Sequence, residues 1–81
     1  MREVAIIPHP EVKITLLSWN EKYLVKLERG PFEQTYKLSE MDVTGDEDVK
    51  RMLDETFIAE ALQHFQAMAK SWMATRRRNA F

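Results

Sequence analysis

Cysteine is absent from this chain of 81 residues. That excludes a disulfide-stapled scaffold, every cysteine-based zinc or iron–sulfur site and all thiol chemistry. Glycine and proline are scarce, at two and three residues. Gly30 and Gly45 stand alone, so no glycine-rich loop is available to cradle a phosphate. Histidine occurs twice, with His9 between two prolines and His64 far along the chain, whereas a zinc centre takes three or four ligands. Long hydrophobic runs are missing too. The apolar stretch Val4 to Ile7 is too short for a signal-peptide core or a membrane span, so cytoplasmic residence without membrane association is the expectation. A charge excess is also lacking: the net charge of -1 gives no global electrostatic reason to expect nucleic acid or an anionic membrane surface.

What is present reads as one ordinary globular domain over residues 1–81, with 44% apolar and 31% charged residues. A monomer of this size buries a small fraction of its surface, so extra burial in a dimer would help it.

The strongest pattern lies in the C-terminal half. From Phe57 to Trp72 apolar residues recur at steps of three and four, through Ile58, Ala61, Leu62, Phe65, Met68, Ala69 and Trp72, with no Gly or Pro between them. This is the period of an amphipathic helix, predicted over Asp54 to Thr75. Asp54 and Glu55 suit its positive end and Arg76, Arg77 and Arg78 its negative end. Residues 76–81 are expected as a frayed tail. Such a helix reaches roughly 33 Å, against about 20 Å for a six-residue strand. Its last turns therefore overhang a small sheet, and Trp72 and Met73 need another surface.

Upstream the period changes to two. Val12, Ile14 and Leu16 point one way and Lys13, Thr15, Leu17 and Trp19 the other; Asn20-Glu21 makes a two-residue turn. Tyr23, Val25 and Leu27 then oppose Leu24, Lys26 and Glu28. After the break at Arg29-Gly30-Pro31, Phe32, Gln34, Tyr36 and Leu38 oppose Glu33, Thr35 and Lys37. Residues 1–10 read either as a poorly ordered arm or as an edge strand, Val4 to Ile7, ended by Pro8 and Pro10 and paired with its own sheet or with another subunit. Ser39 to Asp54 is the most acidic part. Thr44 and Glu47 fit the capping-box spacing, and Val49, Met52 and Leu53 suit a short helix over residues 46–53, either separate or continuous with the long one. The fold class is thus α+β in two layers: an antiparallel meander of three or four strands covered on one face by one long C-terminal helix.

No catalytic constellation accompanies this fold. The carboxylates of the acidic connector lack an enclosing cleft that would separate their proton affinities, and their spacing does not match an EF-hand loop. The serines lack a nucleophile-elbow context. His64 borders the helix stripe, where a Glu60–His64 pair is available at i,i+4. No metal and no cofactor is implied, and a non-enzymatic interaction or structural module is expected.

Two surfaces remain. Leu17, Trp19 and Leu24 on the second sheet face, with Trp72, Met73 and Phe81 beyond the sheet, are more large apolar side chains than a two-layer monomer can bury, which points to a homodimer or a protein partner. The alternative is single-stranded nucleic acid on the same sheet face, with Lys13, Lys22, Lys26 and Lys37 around Trp19 as a stacking platform. Glu28 and Glu33 project from that face and oppose phosphate binding.

The segments Ile14 to Lys26 (ITLLSWNEKYLVK) and Glu33 to Gly45 (EQTYKLSEMDVTG) resemble a small family of bacterial proteins, from Bacteroidetes and relatives, that has no assigned function. The resemblance spans nearly the whole chain. The order of strands followed by a long helix is also similar to single-stranded-DNA-binding domains of the Whirly, PUR and positive-cofactor-four kinds, which are dimers that use their sheet surface. Such domains have a fourth strand, which here would come from Val4 to Ile7, and a basic excess that this chain lacks. The likeness is one of architecture alone.

Overall fold

The computed structural model describes residues 1–81 as an α+β domain. Four strands form one antiparallel sheet in the order of the chain: β1 (Arg2–Ile7), β2 (Lys13–Trp19), β3 (Lys22–Arg29) and β4 (Phe32–Ser39). A 3-10 turn, Glu40–Asp42, leads to α1 (Asp46–Met52) and then to α2 (Glu55–Arg78).

Both tight turns follow from their residues. Asn20 and Glu21 have φ of 53° and 63°, the double positive φ of the hairpin turn that matches strand twist. In the next hairpin Gly30 takes φ 59° and Pro31, whose ring holds φ negative, follows it. A side chain at position 30 would be strained by that backbone.

The N-terminal segment is an edge strand of its own sheet, not an arm: Ile7 pairs with Ile14 and Ala5 with Leu16, with a bulge between Glu3 and Ala5. Between β2 and β3 the register runs from Lys13 opposite Glu28 to Trp19 opposite Lys22, and between β3 and β4 from Lys22 opposite Ser39 to Arg29 opposite Phe32. The alternation predicted for the inner face therefore holds on β2 and β3, whereas on β4 Phe32 and Leu38 are only half-buried and Tyr36 is exposed. Val12, Ile14, Leu16, Tyr23, Val25 and Leu27 are buried, together with Val49 and Leu53 beneath and Ile58, Ala61 and Phe65 from α2.

Helix α2 runs antiparallel to β4, and the two stay in step because four helical residues rise about 6 Å and two strand residues about 6.6 Å. The rings of Phe57 and Tyr36 meet edge to face at 5.3 Å, and Gln34 Nε2 donates to the Ala61 carbonyl at 2.9 Å. One step further, Phe65 and Phe32 line the same recess beside the β3–β4 turn.

The start of α2 agrees with the sequence reading, and its end and the start of α1 differ from it. Asp54 is the N-cap of α2, its carboxylate accepting from the Phe57 N–H at 2.9 Å. At the other end Arg76, Arg77 and Arg78 are helical, so α2 ends three residues later than the pattern predicted. There the chain reverses at Ala80 (φ 60°), and the N–H groups of Phe81 and Ala80 donate to the carbonyls of Arg76 and Arg77 at 2.8 and 3.2 Å. This is a Schellman-type closure, which satisfies the last carbonyls of a helix. Helix α1 is separate from α2, and its N-cap is Gly45. Thr44 does not pair with Glu47. Its N–H and hydroxyl both donate to Asp48, at 2.8 and 2.5 Å, because Gly45 occupies the cap position and moves the reciprocal carboxylate one residue on.

Candidate functional site

The acidic connector is used structurally. Ser18 Oγ donates to Glu40 at 3.0 Å, the Glu40 N–H to the Glu21 carbonyl at 3.1 Å, and Tyr23 Oη to Asp46 at 2.6 Å. These bonds fasten the connector across the β2–β3 end of the sheet. The bond to Asp46 raises the Tyr23 hydroxyl pKa above its ordinary value, with desolvation and the charges of Asp46 and Glu40 adding to it. Asp48 is shifted the other way: the hydroxyl and N–H of Thr44 hold its carboxyl below the ordinary value of 3.8, assisted by Arg51. No group of three or more His, Asp or Glu side chains is arranged to hold a metal ion. His64 is exposed and forms no ion pair with Glu60, while His9 accepts from the Glu11 N–H at 3.2 Å within its turn.

The outer sheet face assembles in rows set by the register. Glu3, Leu17, Leu24 and Lys37 make one row, and Ile6, Thr15, Lys26 and Thr35 the next. A third joins Lys13 to Glu28 and Glu33, and Trp19 stands beside Lys22 at the end. The structure thus brings Lys13, Trp19, Lys22, Lys26 and Lys37 onto one face, as the alternation predicted. It interleaves them with Glu3, Glu28 and Glu33. Lys26 is bonded to Glu33 at 3.0 Å, and that bond, with the charges of Glu33 and Glu28, raises the Lys26 pKa. Leu24 is only 9% exposed and Leu17 half-buried, while Trp19 is 53% exposed. The row neighbours close over Leu24, so this face offers less apolar surface than alternation alone suggests.

The six apolar residues expected at a partner surface therefore do not form one patch. Leu17, Trp19 and Leu24 lie on the outer face, and Trp72, Met73 and Phe81 on the far end of α2, which packs on the inner face. The helical three divide again. Trp72, 51% exposed, lines an open groove of about 710 Å³ with Pro31, Phe32, Met68 and Thr75. Met73 and Phe81 lie in a separate recess with Arg76 and Arg77, where the terminal reversal folds Phe81 back along the helix. No residue beyond Phe65 is buried.

Two features escape a reading of the sequence. Met41 projects from the 3-10 turn with 93% exposure, and its place in an acidic connector gave no sign of an apolar contact. A second apolar recess, of about 250 Å³, opens beside β4 between Tyr36, Leu38, Met52, Leu53 and Phe57.

Comparison of the chain with protein-family models, with curated proteins and with solved structures finds no match. No helix is long and apolar enough to cross a membrane.

Proposed function

We propose that this protein is a non-enzymatic interaction module that associates with a second copy of itself, using the apolar surface between the C-terminal half of α2 and the β3–β4 turn. The observation that carries this reading is the overhang of α2. Residues 69–78 extend about 15 Å beyond the last buried turn, remain helical through Arg78 and end in a closed reversal. They hold Trp72 half-exposed over an open groove. An ordered helix end with an aromatic anchor beside a concave apolar surface is the arrangement that interfaces use, since Trp in a desolvated pocket contributes heavily to binding.

Single-stranded nucleic acid on the outer face ranks below it. The four lysines there share the face with three glutamates, and Glu21 and Glu40 lie at the Trp19 end. Phosphate contacts supply most of the affinity of such binders, and this face has little net positive charge to offer.

Size-exclusion chromatography with light scattering tests the proposal. The native chain should show a mass that rises above 9.6 kDa with concentration, and Trp72→Glu should return it to the monomer with unchanged circular dichroism. A Trp72→Glu chain that associates as the native one does removes the helix groove from the interface. In a Trp72→Phe background Trp19 is the sole indole, so strong quenching by short single-stranded DNA at low salt would favour the nucleic-acid reading instead.

A further inference from the structure

We infer that the second copy pairs along β4, in one register, about a two-fold axis at Thr35; this rests on the self-association proposed above and specifies its geometry. The two edges of the sheet are unlike. Strand β1 carries a bulge between Glu3 and Ala5 and runs into Pro8, both of which blunt an edge against pairing. Strand β4 has eight residues in unbroken register with β3 and no interior proline.

The backbone fixes which groups are free. The two-residue turn closes on the Arg29–Phe32 pair, so Phe32, Gln34, Tyr36 and Leu38 direct their N–H and C=O groups to β3. Glu33, Thr35 and Lys37 direct theirs to the open edge. An antiparallel copy must match these three positions with its own. Centring the axis on Thr35 places Glu33 opposite the partner's Lys37 and Lys37 opposite the partner's Glu33. Centring it on Glu33 or on Lys37 puts like charges face to face, which destabilises a cross-strand pair, and centring it on Gln34 or on Tyr36 sets Glu33 and Lys37 opposite uncharged residues and forgoes both charge pairs. Opposite signs spaced symmetrically about Thr35 make this edge self-complementary, as a two-fold interface requires.

The same register serves the inner face. Phe32 stands opposite the partner's Leu38 and Gln34 opposite the partner's Tyr36. The partner's Ser39 comes opposite Pro31, so the following turn, with the exposed Met41, arrives at the mouth of the groove that Trp72 lines. The product is a continuous eight-stranded sheet whose outer edges are the two bulged β1 strands.

Because the chain has no cysteine, Thr35→Cys introduces a single thiol. Across the axis the two Cα atoms would lie about 5.5 Å apart, within reach of a short bis-maleimide. A short bis-maleimide should give a covalent dimer of Thr35→Cys and none of Lys13→Cys, on a central strand. Glu33→Lys and Lys37→Glu, each alone, should weaken the dimer roughly tenfold, two pairs being affected by symmetry, and the double exchange should restore it. A native chain that dimerises while Thr35→Cys fails to cross-link and the double exchange fails to restore affinity keeps self-association and overturns the β4 register. A chain monomeric at every concentration, as when the edge serves a foreign strand, overturns both.

Discussion

At the scale of single residues, the core is made by side chains that the inner sheet face and α2 enclose between them. Ile14, Leu16 and Leu27 have no exposure and Phe65 has 2%, as residues in register with a period of two or 3.6 must when a helix covers a sheet. Phe65→Ala should cost about 3–5 kcal/mol in denaturant unfolding, whereas Met41→Ala, at 93% exposure, should stay within about 0.5 kcal/mol. Leu24 stands on the expected outer face but is closed in, because alternation reports which face a residue occupies and not how closely Leu17 and Lys37 flank it. Asp48 gives a prediction with a definite sign. Its carboxyl is held below its ordinary value of 3.8 by Thr44 and Arg51, so it contributes stability above that pH and loses it as pH falls through the lowered value. An NMR titration should place the Asp48 midpoint below 3.8 and show the Thr44 amide moving with it. A midpoint at or above that value contradicts the capping role.

At the scale of elements, the strands and α2 followed from their periods, and what escaped was what lies between segments distant in sequence. Whether Val4 to Ile7 formed a strand depended on its pairing with Leu16 and Ile14, which a four-residue apolar run does not encode. That pairing in turn decides which strand is left at the edge, so the open side of β4 was not legible either. The end of α2 was set three residues short because Arg76 to Arg78 look like a polar tail. In the fold they continue the helix, favoured by its negative end, and the reversal at Ala80 closes it. Alanine with φ 60° is held where glycine costs less by about 1 kcal/mol. Ala80→Gly should therefore slow exchange of the Phe81 amide several-fold; faster exchange would show that the closure does not cap the helix.

At the scale of the whole molecule, the shape follows from the mismatch between helix and sheet. The radius of gyration is 14.7 Å and the longest extent 48 Å, against about 12 Å for the radius of a compact chain of this length. A small domain that holds so much surface apart from its core leaves Trp72, the groove beneath it and the β4 edge uncovered on the same side. The proposed pairing of two copies would cover all three. Sedimentation equilibrium of the native chain over a wide concentration range is the most direct test. Self-association predicts a mass that approaches twice 9.6 kDa as concentration rises, and a mass that stays at 9.6 kDa throughout would contradict it.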